Sequence, residues 1–194
     1  MLVELNIHAS AALSSNDHQS MILLKEKNGS RMLPILMSLR RATTLALRAQ
    51  IPVPTPLPLS VPDMSWHLLR KFDIKLSRVE LTAIKDGTFF ARVVAERDGE
   101  ERSLEFCLAQ DALVMATAAC CPIFVEEDIL EAQYMKQTGQ NSFALNINVL
   151  SRQMLEDALQ NAIAHENYEA ASQLRDELAK RPPADPATSQ SATA

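Results

Sequence analysis

The sequence predicts an α+β protein: a mixed-sheet domain followed by a short C-terminal α-helical hairpin. Three observations predict it. Apolar stretches of strand character come in groups, joined by the turn dipeptides Asn28-Gly29, Asp86-Gly87 and Asp98-Gly99. Segments with helical apolar spacing follow each group. Two further helical segments, between residues 151 and 180, stand apart behind a weakly patterned stretch.

In chain order, Val3, Leu5 and Ile7 alternate as a strand, and Asn16-Asp17 marks a turn before a second strand over 21–27. Asn28-Gly29 turns that strand into a third, 31–36, where Pro34 predicts an edge position or a bulge because it cannot donate to a ladder. A helix is expected from Ser38 to Ala49, with Ser38 as its cap. Five prolines between 52 and 62 forbid helix and favour an extended connector. Met64, Trp66, Leu68, Leu69 and Phe72 then supply a helical apolar pattern. The second half reads as strands over 74–85, 89–97 and 103–108, a helix over 110–119, a short strand at 122–125 and a helix over 126–134. The similar order of elements predicts a duplicated β-β-β-α-α unit.

The expected division is a domain over 1–136, a linker or edge strand over 137–150, the hairpin over 151–180 and a disordered tail over 181–194. Arg181-Pro182-Pro183 and the Ala, Thr and Ser that follow have little apolar surface to bury.

Bulk properties narrow the function. The hydrophobic fraction is 47% and the charged fraction 22%, ordinary for a chain with a core. The formal net charge is −5, which argues against binding nucleic acid by electrostatics alone. The opening Met1-Leu2-Val3-Glu4-Leu5 lacks a secretory pattern, and no apolar run reaches bilayer length, so a cytoplasmic protein without membrane contact is expected. Cys107, Cys120 and Cys121 have no metal-ligand spacing and read as small buried residues.

In the hairpin, Met154, Leu155, Ala158, Leu159, Ala162 and Ile163 share one helical face, and Tyr168, Ala171, Leu174 and Leu178 share another. Two helices this short bury little area, so they should seek a partner, a second copy or the main domain. The stretch 155–180, with Glu166-Asn167-Tyr168-Glu169-Ala170-Ala171 and Leu174-Arg175-Asp176, resembles the UVR motif of the bacterial-type excision-repair proteins UvrB and UvrC. That resemblance implies protein–protein contact in a repair-related setting, through Tyr168, Ala171, Leu174, Arg175 and Asp176. A homo-oligomer is a further expected form.

The domain in turn resembles the bifunctional nuclease family. The resemblance rests on Leu23-Leu24-Lys25-Glu26-Lys27-Asn28-Gly29, Leu33-Pro34-Ile35, Asp86-Gly87-Thr88-Phe89-Phe90-Ala91, and Pro122-Ile123-Phe124-Val125 followed by Glu126-Glu127. It implies cleavage of DNA or RNA phosphodiesters. Such cleavage calls for a Mg²⁺ or Mn²⁺ ion held by carboxylates, and for positive charge on the transition state. Asp63 and Asp111 are the two carboxylates kept at matching positions, and are the expected catalytic and metal-binding pair. Arg40 and Arg41 are the expected phosphate contacts, and His67 lies one helical turn from Asp63.

Other family positions differ. Ser38 and Arg41-Ala42 stand where the family has a Gly and a Glu-Ala pair. Val61-Pro62-Asp63-Met64 replaces Thr-His-Asp-Leu, and Phe106 to Ala112 keeps only the final Asp-Ala of a polar stretch. Loss of polar residues supports an alternative: a non-catalytic adaptor that docks through the hairpin. An Asp in a helix's first turn also complements the helix dipole without any chemistry.

Overall fold

A computed structural model describes residues 1–12, 19–50, 60–137, 143–144, 150, 152–164 and 166–180. Three strands, β1 (Leu2–Ala12), β2 (Gln19–Glu26) and β3 (Met32–Ser38), precede helices α1 (Leu39–Gln50) and α2 (Val61–Lys71). Three more, β4 (Lys75–Lys85), β5 (Thr88–Arg97) and β6 (Glu100–Leu108), precede α3 (Ala109–Ala119), β7 (Ile123–Glu126) and α4 (Glu127–Gln133). The short pair β8 (Lys136–Gln137) and β9 (Phe143–Ala144) follows, then α5 (Arg152–Ala164) and α6 (Tyr168–Lys180).

The first seven strands form one mixed sheet in the order β3-β2-β1-β7-β4-β5-β6. Each group of three is an antiparallel meander. β7 joins the groups, antiparallel to β1 and parallel to β4. β3 lies at one edge, as Pro34 predicts, with Pro34 opposite Leu23. The expected repeat is altered in the second half, where β7 lies between α3 and α4. The proline-rich stretch 51–59, the Asn16-Asp17 turn, the expected cap Ser151 and the tail 181–194 lie outside the described residues.

Alternation builds the core. Leu5, Ile22, Leu24, Leu33, Ile35, Val79, Leu81, Ala91, Ile123 and Val125 pack in one apolar cluster with Leu45 of α1 and Leu113 of α3. α1 lies against β1, β2 and β3, and α3 against β4, β5 and β6, with the two helices touching each other. Glu80, between the core residues Val79 and Leu81, turns to the opposite face of the sheet. It is buried there, accepting hydrogen bonds from Arg78 Nε at 2.6 Å and Arg92 Nη1 at 3.0 Å. Those arginines reach on to the edge strand, at Glu101 and Glu105.

At the other end of the sheet, Arg31 ties the β2–β3 turn to α4. Its guanidinium donates to Glu26 at 3.0 Å, Glu127 at 2.7 Å and Glu131 at 3.1 Å. The hydrogen bond from Arg31 holds the Glu26 carboxyl below the usual range, against the opposing effect of burial. Arg31→Ala is expected to destabilise the domain by about 1 kcal/mol, since these contacts are only partly buried. Urea unfolding measures it, and salt should narrow the difference.

The cysteines are less buried than their type suggests. Cys120 is exposed, because it closes α3 in the left-handed conformation, with φ of 54°. Cys121, half-buried, has its thiol pushed up to about 11 by desolvation.

Candidate functional site

α1, α2 and α3 cover the helical face of the sheet incompletely, and a cleft of about 1470 Å³ opens beside the β5–β6 hairpin. Its floor is apolar, including Leu76, Val93, Ala95 and Val114. Its rim is charged. Arg40, Arg41, Arg97 and Arg102 line it together with Glu96, Asp98, Glu100 and Asp111. The four cations are matched by four anions, so the rim has no net charge to draw a polyphosphate strand.

Arg41 and Asp111 meet in this cleft. Each is the third residue of its helix, α1 or α3, and Arg41 Nη2 approaches Asp111 Oδ1 to 2.8 Å. The approach is close enough for an ion pair but off the line for a hydrogen bond. Oδ1 is therefore a buried oxygen that accepts no hydrogen bond among the described residues. Arg40 also lines the cleft and is exposed. Three of the four expected site residues thus share one opening.

Asp63 has a different environment. It is 1% exposed, at the third position of α2, which Ser60 caps. Ser60 donates to Asp63 Oδ2 through its backbone N–H at 2.8 Å and its hydroxyl at 2.6 Å, while Arg48 Nη1 donates to Oδ1 at 2.5 Å. This is the carboxylate half of a capping box, and it also pins the end of α1 to the start of α2. Burial raises the Asp63 pKa, but the hydrogen bonds from Arg48 and Ser60 outweigh it and hold the group below the usual range. The sequence signal was Ser60 three residues before Asp63, just ahead of a helical apolar pattern. His67, one turn on, is exposed and has no part in this contact.

A divalent cation needs carboxylate oxygens free to face it. Both Asp63 oxygens already accept strong hydrogen bonds, and the Asp111 carboxylate is paired with the Arg41 guanidinium, which repels a cation. Among the described residues, no three His, Cys, Asp or Glu side chains gather as a metal site. As arranged here, Asp63 and Asp111 do not fit a divalent metal.

The hairpin forms a second candidate site. α5 and α6 pack on each other, with Leu155 and Ala171 buried. Asn167 starts α6, its side-chain oxygen accepting from Ala170 N–H at 3.2 Å. Of the expected contact residues, Ala171 is part of the hairpin's own core and Leu174 is half-buried. Tyr168, Arg175 and Asp176 are exposed, the last two 3.5 Å apart.

Comparison with known proteins agrees with this two-part organisation. The Bifunctional nuclease domain profile matches residues 22–138, and the UvrB/uvrC motif profile matches residues 152–180. The chain belongs to the bifunctional nuclease domain family and carries a C-terminal UVR motif. It is similar to uncharacterised proteins from two strains of Mycobacterium tuberculosis, each 31% identical over 113 residues. Each match covers 58% of this chain and 65% of the relative's length. No described helix is long and apolar enough to cross a membrane.

Proposed function

We propose that this chain works in the cytoplasm as a docking protein built on the bifunctional nuclease fold, with the α5–α6 hairpin as the part that engages a protein partner. The observation that carries this reading is the state of Asp63: the carboxylate that cleavage chemistry would use is buried in a helix cap and held by Arg48 and Ser60. The charge-neutral rim of the cleft supports the same reading, as do the exposed aromatic and charged residues of the hairpin.

A second reading, cleavage of DNA or RNA, is favoured by one specific observation. Arg40, Arg41 and the partly exposed Asp111 carboxylate line the same open cleft. There a guanidinium could take a phosphate while a carboxylate handles a proton.

The deciding experiment incubates the purified chain with plasmid DNA and structured RNA, with Mg²⁺ or Mn²⁺ present, beside Asp111→Ala. Docking without catalysis predicts no cleavage above the variant. Cleavage that vanishes in Asp111→Ala and in chelator would make this a nuclease and end the docking-only reading. Asp111 is the informative position because it is partly exposed, and its loss should leave the fold intact.

A further inference from the structure

The cleft is neutral as a whole, yet its charge is unevenly spread. At the starts of α1 and α3 it holds Arg40, Arg41 and Asp111, which sum to one positive charge. At the β5–β6 turn it holds Glu96, Arg97, Asp98, Glu100 and Arg102, which sum to one negative charge. α3 begins directly after β6, so the two groups lie at opposite ends of that hairpin. From Ala91, opposite Cys107, to Arg97, β5 spans about 20 Å at roughly 3.3 Å per residue.

The positive end has hydrogen-bonding capacity to spare. Arg41 meets Asp111 without a hydrogen bond, and the side chain of Arg40 has no polar partner among the described residues. Both guanidiniums therefore have N–H groups left to donate. At the other end, Arg97 and Arg102 already sit 3.4 Å from Asp98 and Glu100. Between the ends the lining is apolar. Leu104 stands opposite Val93, Leu76 opposite Ala95, and Met115 lies one turn along α3 from Asp111. Leu104 is 66% exposed, on a strand whose other residues include the charged Glu101, Arg102 and Glu105.

We propose that the cleft binds an apolar monocarboxylate, with its acid group on Arg40 and Arg41 and its body along Leu104, Val93 and Met115. One carboxylate neutralises the positive end and takes paired N–H donors from a guanidinium. A phosphate monoester would bring a second negative charge against Asp111. A second acid group would meet no unpaired cation at the far end, where Glu96 adds to the negative charge. This ligand class goes beyond the docking reading, which neither requires nor excludes it.

Isothermal titration calorimetry of decanoate into the full chain, below the concentration at which it forms micelles, tests it. Saturable binding is expected, weakened at least about tenfold in Arg40→Ala/Arg41→Ala and in Leu104→Glu. These side chains are partly or largely exposed, so both variants should keep the wild-type Tm. Decanol, which lacks the charge, and butyrate, which lacks the body, should each bind at least about tenfold more weakly. Amide NMR shifts caused by decanoate should fall on Val93, Ala95, Leu104 and Met115, which fixes the site whatever a variant does to the fold. No saturable binding overturns the proposal, as do shifts confined to other residues. Binding that survives Arg40→Ala/Arg41→Ala overturns it too, as does decyl phosphate binding more tightly than decanoate. Cleavage and hairpin docking are read in separate assays, so the two readings fail independently.

Discussion

Asp63→Ala is expected to destabilise the domain by about 3 kcal/mol, far more than removal of a surface carboxylate. The substitution removes the partner of a largely buried Arg48 and unmakes the start of α2 in one step. Equilibrium unfolding in urea measures it directly. Replacing the pair together, Asp63→Leu with Arg48→Met, should recover part of the loss, because a buried ion pair costs desolvation that an apolar pair does not. The pH dependence has a definite sign. The folded-state pKa of Asp63 is depressed, so its stabilisation is complete above the unfolded value of about 3.9 and fades as pH falls through the folded value. Wild type and Asp63→Asn should therefore converge in acid and differ most near neutrality. A loss well below about 1 kcal/mol at neutral pH would mean the carboxylate is not held as described, and would return Asp63 to the pool of candidate catalytic groups.

Glu80→Ala should have the next largest effect, about 2 kcal/mol. Glu80 is buried between two arginines on the face of the sheet away from the helices, and each arginine also grips a carboxylate on the edge strand. Alanine leaves Arg78 and Arg92 with only their outer partners, and those are exposed. The cost is smaller than for Asp63 because both arginines can turn to water. Amide exchange offers a sharper readout than a melt: protection should fall along β4, β5 and β6 and persist in β2 and β3. Uniform loss across all seven strands would count against a local network.

Much of the secondary structure is legible in the sequence because its signals are local. Asp86-Gly87 and Asp98-Gly99 sit at the two tight turns of the second meander with φ above zero at all four residues, which fits Asp and Gly. Pro34 points to the edge because a missing N–H is tolerated there. Strand order is another matter. Nothing in Pro122-Ile123-Phe124-Val125 says that this stretch pairs with β1 on one side and β4 on the other, since that depends on groups far apart in the chain. The candidate site is legible in type more than in arrangement. Helical starts locate Arg41, Asp63 and Asp111, but only packing decides that Arg41 meets Asp111 while Asp63 turns to Arg48. Helix α2 shows the same limit. Periodicity marks Met64, Leu68 and Phe72 as one apolar line, and an apolar line is read as core until the structure shows these side chains more than half exposed.

The placement of β7 governs how the molecule is made. Leu2 pairs with Glu126, so the first strand finds its inner neighbour only after nearly the whole domain has left the ribosome. Each meander closes early through its own tight turns, yet β1 and β4 must then wait with one edge bare. Those waiting edges are where a nascent chain is most prone to pair with the wrong neighbour. Four residues, Ile123–Glu126, pair with both edges at once, along Leu2–Leu5 of β1 and Val79–Leu81 of β4.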